Sequence, residues 1–217
     1  MSIVIAAALL LAIDNPSFRK PFGSVDMKRD EVRRLGAHFG NCVVKKQPSL
    51  ARTYVLNTNP VFTVGDAVEH QKIVRKLSIG NCLLRAQDMS REVGMRFTGD
   101  ALRFVLADAF FRRELASRPP LANLDQIPAL PQTGVALGEF GECVVRRDPQ
   151  GSYGLLRTSV VTPDENRAFD ALKPAMSGCL PAQTVRLNRE LVRGVVAYSY
   201  FRLSNTARPA GPSGTPQ

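Results

Sequence analysis

The chain has 217 residues and a formal net charge of +10, with 29 Lys and Arg against 19 Asp and Glu. This length is enough for one substantial core or two small ones. The positive charge favours an anionic partner over a cationic one, although many basic proteins bind no polyanion at all. The sequence contains only two His and neither a phosphate-cradling glycine loop nor an HExxH motif, so it indicates no catalytic class.

The N-terminal segment, residues 1–13, contains an apolar run from Ile3 to Ile13. The run is too short to cross a bilayer and is typical of the hydrophobic part of a secretory signal. No Lys or Arg precedes it, and a buried N-terminal strand or helix is the alternative. We expect an exported, periplasmic or secreted protein, with residues 14–26 as a linker and no transmembrane span farther along the chain.

Four cysteines, Cys42, Cys82, Cys143 and Cys179, form an even and widely spaced set. None belongs to a CxxC pair, which disfavours both zinc sites and thioredoxin-like redox motifs. In an oxidising compartment such cysteines are structural disulfides. We therefore predict neither a metal nor a cofactor.

One cysteine-centred motif occurs twice, as FGNCVVKKQP in residues 39–48 and as FGECVVRRDP in residues 140–149. Later parts of the two copies also match at a constant offset of ninety residues. The matched positions include Arg103, Val105, Ala107, Phe111 and Arg112, which correspond to Arg193, Val195, Ala197, Phe201 and Arg202. We interpret the pattern as two tandem units.

The domain boundaries follow from this repeat and from composition. The first unit spans residues 27–116 and the second spans residues 135–203. Residues 117–134 are rich in proline and form an irregular linker. Residues 204–217 have too little apolar content to fold, so we expect a disordered tail.

Each unit is predicted to be mainly helical, which gives an all-α fold. The clearest helix start is at Thr162, an N-cap followed by Pro163 and by Glu165, which is placed to complete a capping box. Pro174 is expected to kink or shorten that helix, and Gly178 to end it. The matching helix of the first unit covers residues 66–79. Short alternating stretches around residues 95–97 and 185–187 are weak strand signals that can pair between the copies.

The repeat also selects among the three possible pairings of four cysteines. Cys42 and Cys143 occupy the same place in a first helix, whereas Cys82 and Cys179 both close a later helix. Because equivalent units should fold equivalently, we predict the bridges Cys42–Cys82 and Cys143–Cys179. The Val-Val pair that follows each motif cysteine is then expected to pack as core beside its bridge.

Six basic residues are candidates for anion binding. Two of them, Arg103 and Arg193, lie in otherwise apolar helices, three residues after Asp100 and Glu190 respectively. The alternative for this pair is structural, either an intrahelical ion pair or a buried arginine that holds backbone carbonyls. The other four recur with the motif and are Lys45, Lys46, Arg146 and Arg147.

Catalytic candidates are few. His38 precedes Cys42 by four residues, but the second copy has Glu139 at that place, and His70 has no partner in any motif. Four carboxylates that cluster in sequence are candidates for hydrolysis: Glu139, Glu142, Asp164 and Glu165. Helix caps and surface acids give the same pattern. We assign no catalytic residue.

The duplicated FGxCVV[KR][KR]xP unit, with its later Cys-Leu and closing helix, resembles a group of uncharacterised exported proteins of alphaproteobacteria. The resemblance covers roughly residues 35 to 203. It implies an exported, disulfide-bonded, helical protein, and it brings no known activity and no catalytic residues.

These patterns lead to three functional hypotheses. The first is a non-catalytic module that binds an anionic envelope polymer, an acidic lipid or a partner protein. Nucleic acid is a weak candidate, since no recognised motif and few aromatic residues accompany the charge. The second is a carboxylate-dependent hydrolase of an envelope polymer, and the third is a purely structural, self-associating protein.

Overall fold

A computed structural model describes residues 28–56, 72, 76–77, 82, 99–131, 137–180 and 187–207. These residues form seven α-helices and no strand, which confirms the all-α prediction. The helices are α1 (Arg29–Lys46), α2 (Pro48–Leu56), α3 (Gly99–Phe110), α4 (Gly138–Arg147), α5 (Pro149–Arg157), α6 (Pro163–Ser177) and α7 (Arg189–Thr206). A π-helical turn, Phe111–Leu115, extends α3, and a short 3-10 helix covers Leu124–Gln126.

Several sequence predictions fall outside the described residues. They are the signal-like segment, the linker over residues 14–26, His70, the strand signal at residues 95–97 and most of the helix over residues 66–79. Most of the strand signal at residues 185–187 also lies outside. The expected boundary of the C-terminal tail at residue 204 is wrong, because α7 continues to Thr206 and Ser204 is buried within it.

The helix starts in the second half of the chain follow their capping residues. Thr162 accepts a hydrogen bond from the Glu165 backbone N–H at 3.2 Å, and Asn188 accepts one from Leu191 at 2.8 Å. Asp148 caps α5 in the same way through Gly151. These side chains satisfy amide groups that have no partner inside the helix. Helix α6 continues past Pro174 to Ser177 and is not shortened there, and Gly178 caps it as predicted.

The predicted capping box at the start of α6 is only half formed. Thr162 caps the helix, but the Glu165 side chain does not return to the Thr162 backbone. It accepts a hydrogen bond from the Val161 N–H at 2.8 Å instead. Val161 has a φ of 61°, an unusual value for a β-branched residue, and this hydrogen bond stabilises the turn.

Helices α3 and α7 pack against each other at the centre, with α1 and α2 on one and α4 and α5 on the other, while α6 packs on α4 and α5. Helix α1 packs on α3 as α4 packs on α7, and α2 and α5 pack on the same two central helices. The buried side chains of both halves belong to one hydrophobic cluster. The described parts of the two units therefore share a single core.

The glycine of the duplicated motif allows this packing. A Cβ at Gly40 would lie 2.7 Å from the carbonyl oxygen of Val105, and a Cβ at Gly141 would lie 2.6 Å from that of Val195. Val105 and Val195 are themselves a matched pair at the ninety-residue offset. In both halves the motif helix thus approaches the backbone of a central helix at a distance that only glycine permits.

Aromatic rings join the two central helices. Phe110 stacks on Phe201 with ring centroids 4.8 Å apart, and Phe111 meets Tyr200 edge to face at 5.3 Å. At the ninety-residue offset, Phe110 corresponds to Tyr200 and Phe111 to Phe201. In each contact, a ring of one helix therefore meets the ring that corresponds to its neighbour in the sequence.

Both disulfides are those that the repeat predicts. Cys42 is bonded to Cys82 and Cys143 to Cys179, over sequence separations of 40 and 36 residues. The Val-Val pairs that follow Cys42 and Cys143 are buried in the core, also as predicted. Because each bridge lies within one half, each closes its own loop and restricts the unfolded chain there.

Candidate functional site

Arg193 is the centre of a buried charge network. Its guanidinium group donates from Nε and Nη2 to one carboxylate oxygen of Asp108, at 3.2 and 3.0 Å, and from Nη1 to Glu165 at 3.1 Å. The Arg193 residue is only 3% exposed, and Glu165 is completely buried. Such an arrangement is stable only when each buried charge is paired and its hydrogen bonds are made.

Arg193 also caps the C-terminal end of helix α5. It donates to the carbonyl oxygens of Leu155, Leu156 and Thr158 at 3.0 to 3.1 Å, and to the Thr158 hydroxyl at 3.1 Å. These carbonyls lie in the last turn of α5 or just beyond it, where the regular helical hydrogen bonds end. The Leu155 carbonyl also accepts from the Thr158 N–H at 3.1 Å, and the Thr158 carbonyl also accepts from Arg112 at 3.0 Å. The positive charge of Arg193 also interacts favourably with the negative, C-terminal end of the helix dipole.

Two further arginines complete the network. Arg33 of α1 donates to the same oxygen of Glu165 at 2.7 Å, and Arg112 donates to the second oxygen of Asp108 at 3.1 Å. The network therefore contains three guanidinium groups and two carboxylates. It connects α1 and α3 of the first half with α6 and α7 of the second.

The structure separates the two alternatives that the sequence left open for Arg103 and Arg193. Arg103 lies 3.5 Å from Asp100 in the same helix and stands over the Tyr54 ring, so it forms the intrahelical pair. Arg193 is the arginine that holds backbone carbonyls. Its predicted partner Glu190 is exposed, and the true partners are Asp108 and Glu165. Because Arg193 is enclosed and fully engaged, it is a packing residue.

The four motif-linked basic residues have different environments. Arg146 binds Glu142 and the carbonyl oxygens of Leu124, Ile127 and Pro128, so it fastens the Pro-rich linker to α4. Arg147 is exposed and donates to the Gly178 carbonyl at 3.3 Å. Lys45 and Lys46 are exposed at the end of α1, without a salt bridge to any described residue.

The carboxylates proposed for hydrolysis are not brought together as a free pair. Glu165 is held by Arg33 and Arg193, and Glu142 accepts from Arg146 and from the Leu130 N–H. Asp164 forms a surface pair with Arg167. Glu165 and Glu142 are thus each paired with arginine. His38 is exposed on α1 and forms no ligand pair with Cys42, which is in a disulfide.

Sequence reasoning missed Asp108, Arg33 and Arg112 as members of the network. One feature of the sequence could have indicated Asp108: it is the only acid in the apolar stretch that follows Arg103 in α3. No feature of the sequence indicated Arg33, because its partner Glu165 is 132 residues away. Within the described ranges, His, Cys, Asp and Glu also form no cluster that could hold a metal ion.

Comparison with other proteins adds no functional information. No protein family, curated protein or solved structure matches the chain at a significant level. Among the residues described, no helix has the length and apolar character needed to cross a membrane.

Proposed function

We propose that the chain is an exported, non-catalytic scaffold that binds an anionic component of the cell envelope through its basic surface. The apolar run Ile3–Ile13 and the disulfides support export. The charges of the network around Arg193 are paired with one another, which supports a structural role for them. The binding role depends on where the remaining positive charge lies.

Helix α1 carries part of that charge on one exposed side. We define the basic stripe as Arg34, His38, Asn41 and Lys45, all of which are exposed. The spacing of four, three and four residues from Arg34 to Lys45 places these side chains on one helix face. Lys46 is also exposed but lies about 100° around the helix from Lys45 and is not part of the stripe. The carboxylates of α1, Asp30 and Glu31, are both in its first turn. Two exposed cations on one helix face, with polar residues and no acid between them, are the observation that carries this proposal.

Retention of the mature protein on immobilised heparin and on acidic vesicles tests the proposal at low and at high salt. We expect retention at low salt that falls as salt screens the charges. A protein of similar size and near-zero net charge is the control. Retention no greater than that of the control on both materials would overturn the binding role.

N-terminal sequencing of the protein from its native host tests export separately. We expect a mature N-terminus shortly after Ala12. An intact Met1 on a cytosolic product would overturn this part of the proposal.

A further inference from the structure

We propose that the basic stripe binds a linear anionic polymer, with the polymer lying along the axis of α1. This inference rests on the proposed function, because it specifies the site and the ligand class of the same activity. The ligand is a chain that repeats a phosphate or carboxylate group, and a lipid surface is the alternative that the experiment separates.

The stripe has the shape that such a ligand requires. Lys45 lies eleven positions after Arg34, which at 1.5 Å per residue is about 16.5 Å along the helix. A linear polyanion placed along this row contacts cations at both ends and the polar groups of His38 and Asn41 between them. Neutralising two charges of one polymer releases condensed counterions, which is the main source of affinity in this class of binding.

The stripe cations differ from the two exposed cations of α6 that form salt bridges. On α6, Arg167 pairs with Asp164 and Lys173 pairs with Asp170. Arg34 and Lys45 form no salt bridge with a described residue. A polyanion therefore does not have to displace a carboxylate of the described residues in order to bind at the stripe.

The composition of the surface favours a polymer over a membrane. Helices that lie on a bilayer carry large apolar residues beside their cations. The exposed large hydrophobic side chains of the described residues are Val32 and Leu180. Val32 precedes Arg34 by two residues, about 200° around the helix, and so does not lie on the stripe.

The helix is also held rigidly behind the stripe. Gly40 seats α1 on the backbone of α3, the Cys42–Cys82 bridge ties the helix covalently, and Arg33 binds Glu165. Arg33 is next to Arg34 but faces the protein, with a side chain that is 8% exposed. The cations thus project from a fixed element, which lowers the ordering cost of binding.

The test compares two double variants of the full mature protein. Arg34→Gln with Lys45→Gln removes two charges from the stripe, and Arg167→Gln with Lys173→Gln removes two charges from α6. Each variant changes the formal charge from +10 to +8, since 10 − 2 = 8. The probe is long-chain inorganic polyphosphate, titrated over a range of salt concentrations around 0.1 M, where the Debye length is about 10 Å. Thermal unfolding of both variants checks that the fold is intact.

We expect the stripe variant to bind polyphosphate about tenfold more weakly, with a shallower dependence of log K on log salt, by roughly 0.7 per lost contact. The α6 variant should stay within about twofold of the parent. Equal weakening of both variants, or no effect of the stripe variant, would overturn the inference while leaving anion binding intact. Binding to phosphatidylglycerol vesicles without binding to polyphosphate would also overturn it and keep the proposed function. Failure to bind either probe would overturn both.

Discussion

Arg193 and Asp108 are 85 residues apart in sequence and share two hydrogen bonds in the core, from Nε and Nη2 of the arginine to one aspartate oxygen. The contact joins the two central helices and thereby the two halves of the molecule. Arg193 also caps the C-terminal end of α5 and binds Glu165 of α6. One side chain therefore helps to position helices from both halves.

Replacing Arg193 with Lys should therefore be strongly destabilising even though the charge is kept. A lysine ammonium group has three donors and cannot reproduce the planar arrangement that reaches two carboxylates and three carbonyls. We expect the free energy of unfolding to fall by about 3 to 5 kcal/mol, the usual cost of breaking a buried charge pair. Urea unfolding measures the change.

The exposed ion pair of α6 provides the control for that prediction. Arg167→Lys should alter the free energy of unfolding by less than about 1 kcal/mol, because surface pairs contribute little. A tolerated Arg193→Lys would show that the network contributes little to stability.

The motif glycines give a second prediction. Gly40→Ala and Gly141→Ala should each lower the free energy of unfolding by about 1 to 3 kcal/mol, because the new methyl group meets a backbone carbonyl that cannot move aside cheaply. Gly154→Ala is the matched control. It lies inside α5 with nothing within 4 Å of the added Cβ, so it should be neutral or stabilising by up to about 1 kcal/mol. Equal thermal stability of all three variants would argue against close packing of the motif helices.

The Pro-rich linker gives a third prediction, on local stability. Arg146→Ala removes the donor that binds three linker carbonyls, so residues 124–128 should be cleaved faster by a protease of broad specificity. Arg147→Ala, at the neighbouring position, removes a single bond to Gly178 and should leave the cleavage rate of the linker near that of the parent. Mass spectrometry of the fragments locates the cut. An unchanged cleavage rate of the linker in the Arg146 variant would show that other contacts are enough to hold the linker in place.

The fourth prediction concerns alkaline pH. Burial raises the pKa of Tyr54 to about 12 and that of Tyr200 to about 12, from an ordinary value of 10.0. Between pH 10 and 12 the unfolded chain releases these protons while the folded protein keeps them. The folded state then binds more protons, so the free energy of unfolding should fall as the pH rises through this window and be unaffected by these groups below it.

Chemical unfolding at several alkaline pH values checks this dependence, and ultraviolet absorbance follows phenolate formation. Tyr200→Phe should weaken the alkaline dependence. It also removes the hydrogen bond from the Leu121 N–H, which should cost about 1 kcal/mol at neutral pH. Ionisation of both tyrosines near pH 10 in the folded protein would contradict the prediction.

The sequence alone determined the features that depend on local chemistry or on repetition. Thr162 and Asn188 cap helices because a side-chain oxygen needs only an amide three residues away. The disulfide partners could be chosen by expecting one bridge inside each of the two similar units. The Val-Val pairs were recognisable as core because they follow each motif cysteine.

Only the tertiary structure decided which charges are used inside the protein. Arg103 and Arg193 occupy matching positions, yet one pairs within its helix and the other binds Asp108 and Glu165. Likewise, Arg33 faces the protein and Arg34 faces solvent, although they are adjacent in the chain. A charge is buried or exposed according to which side chains from distant segments arrive beside it, and the pairing energy depends on distances that sequence spacing does not contain.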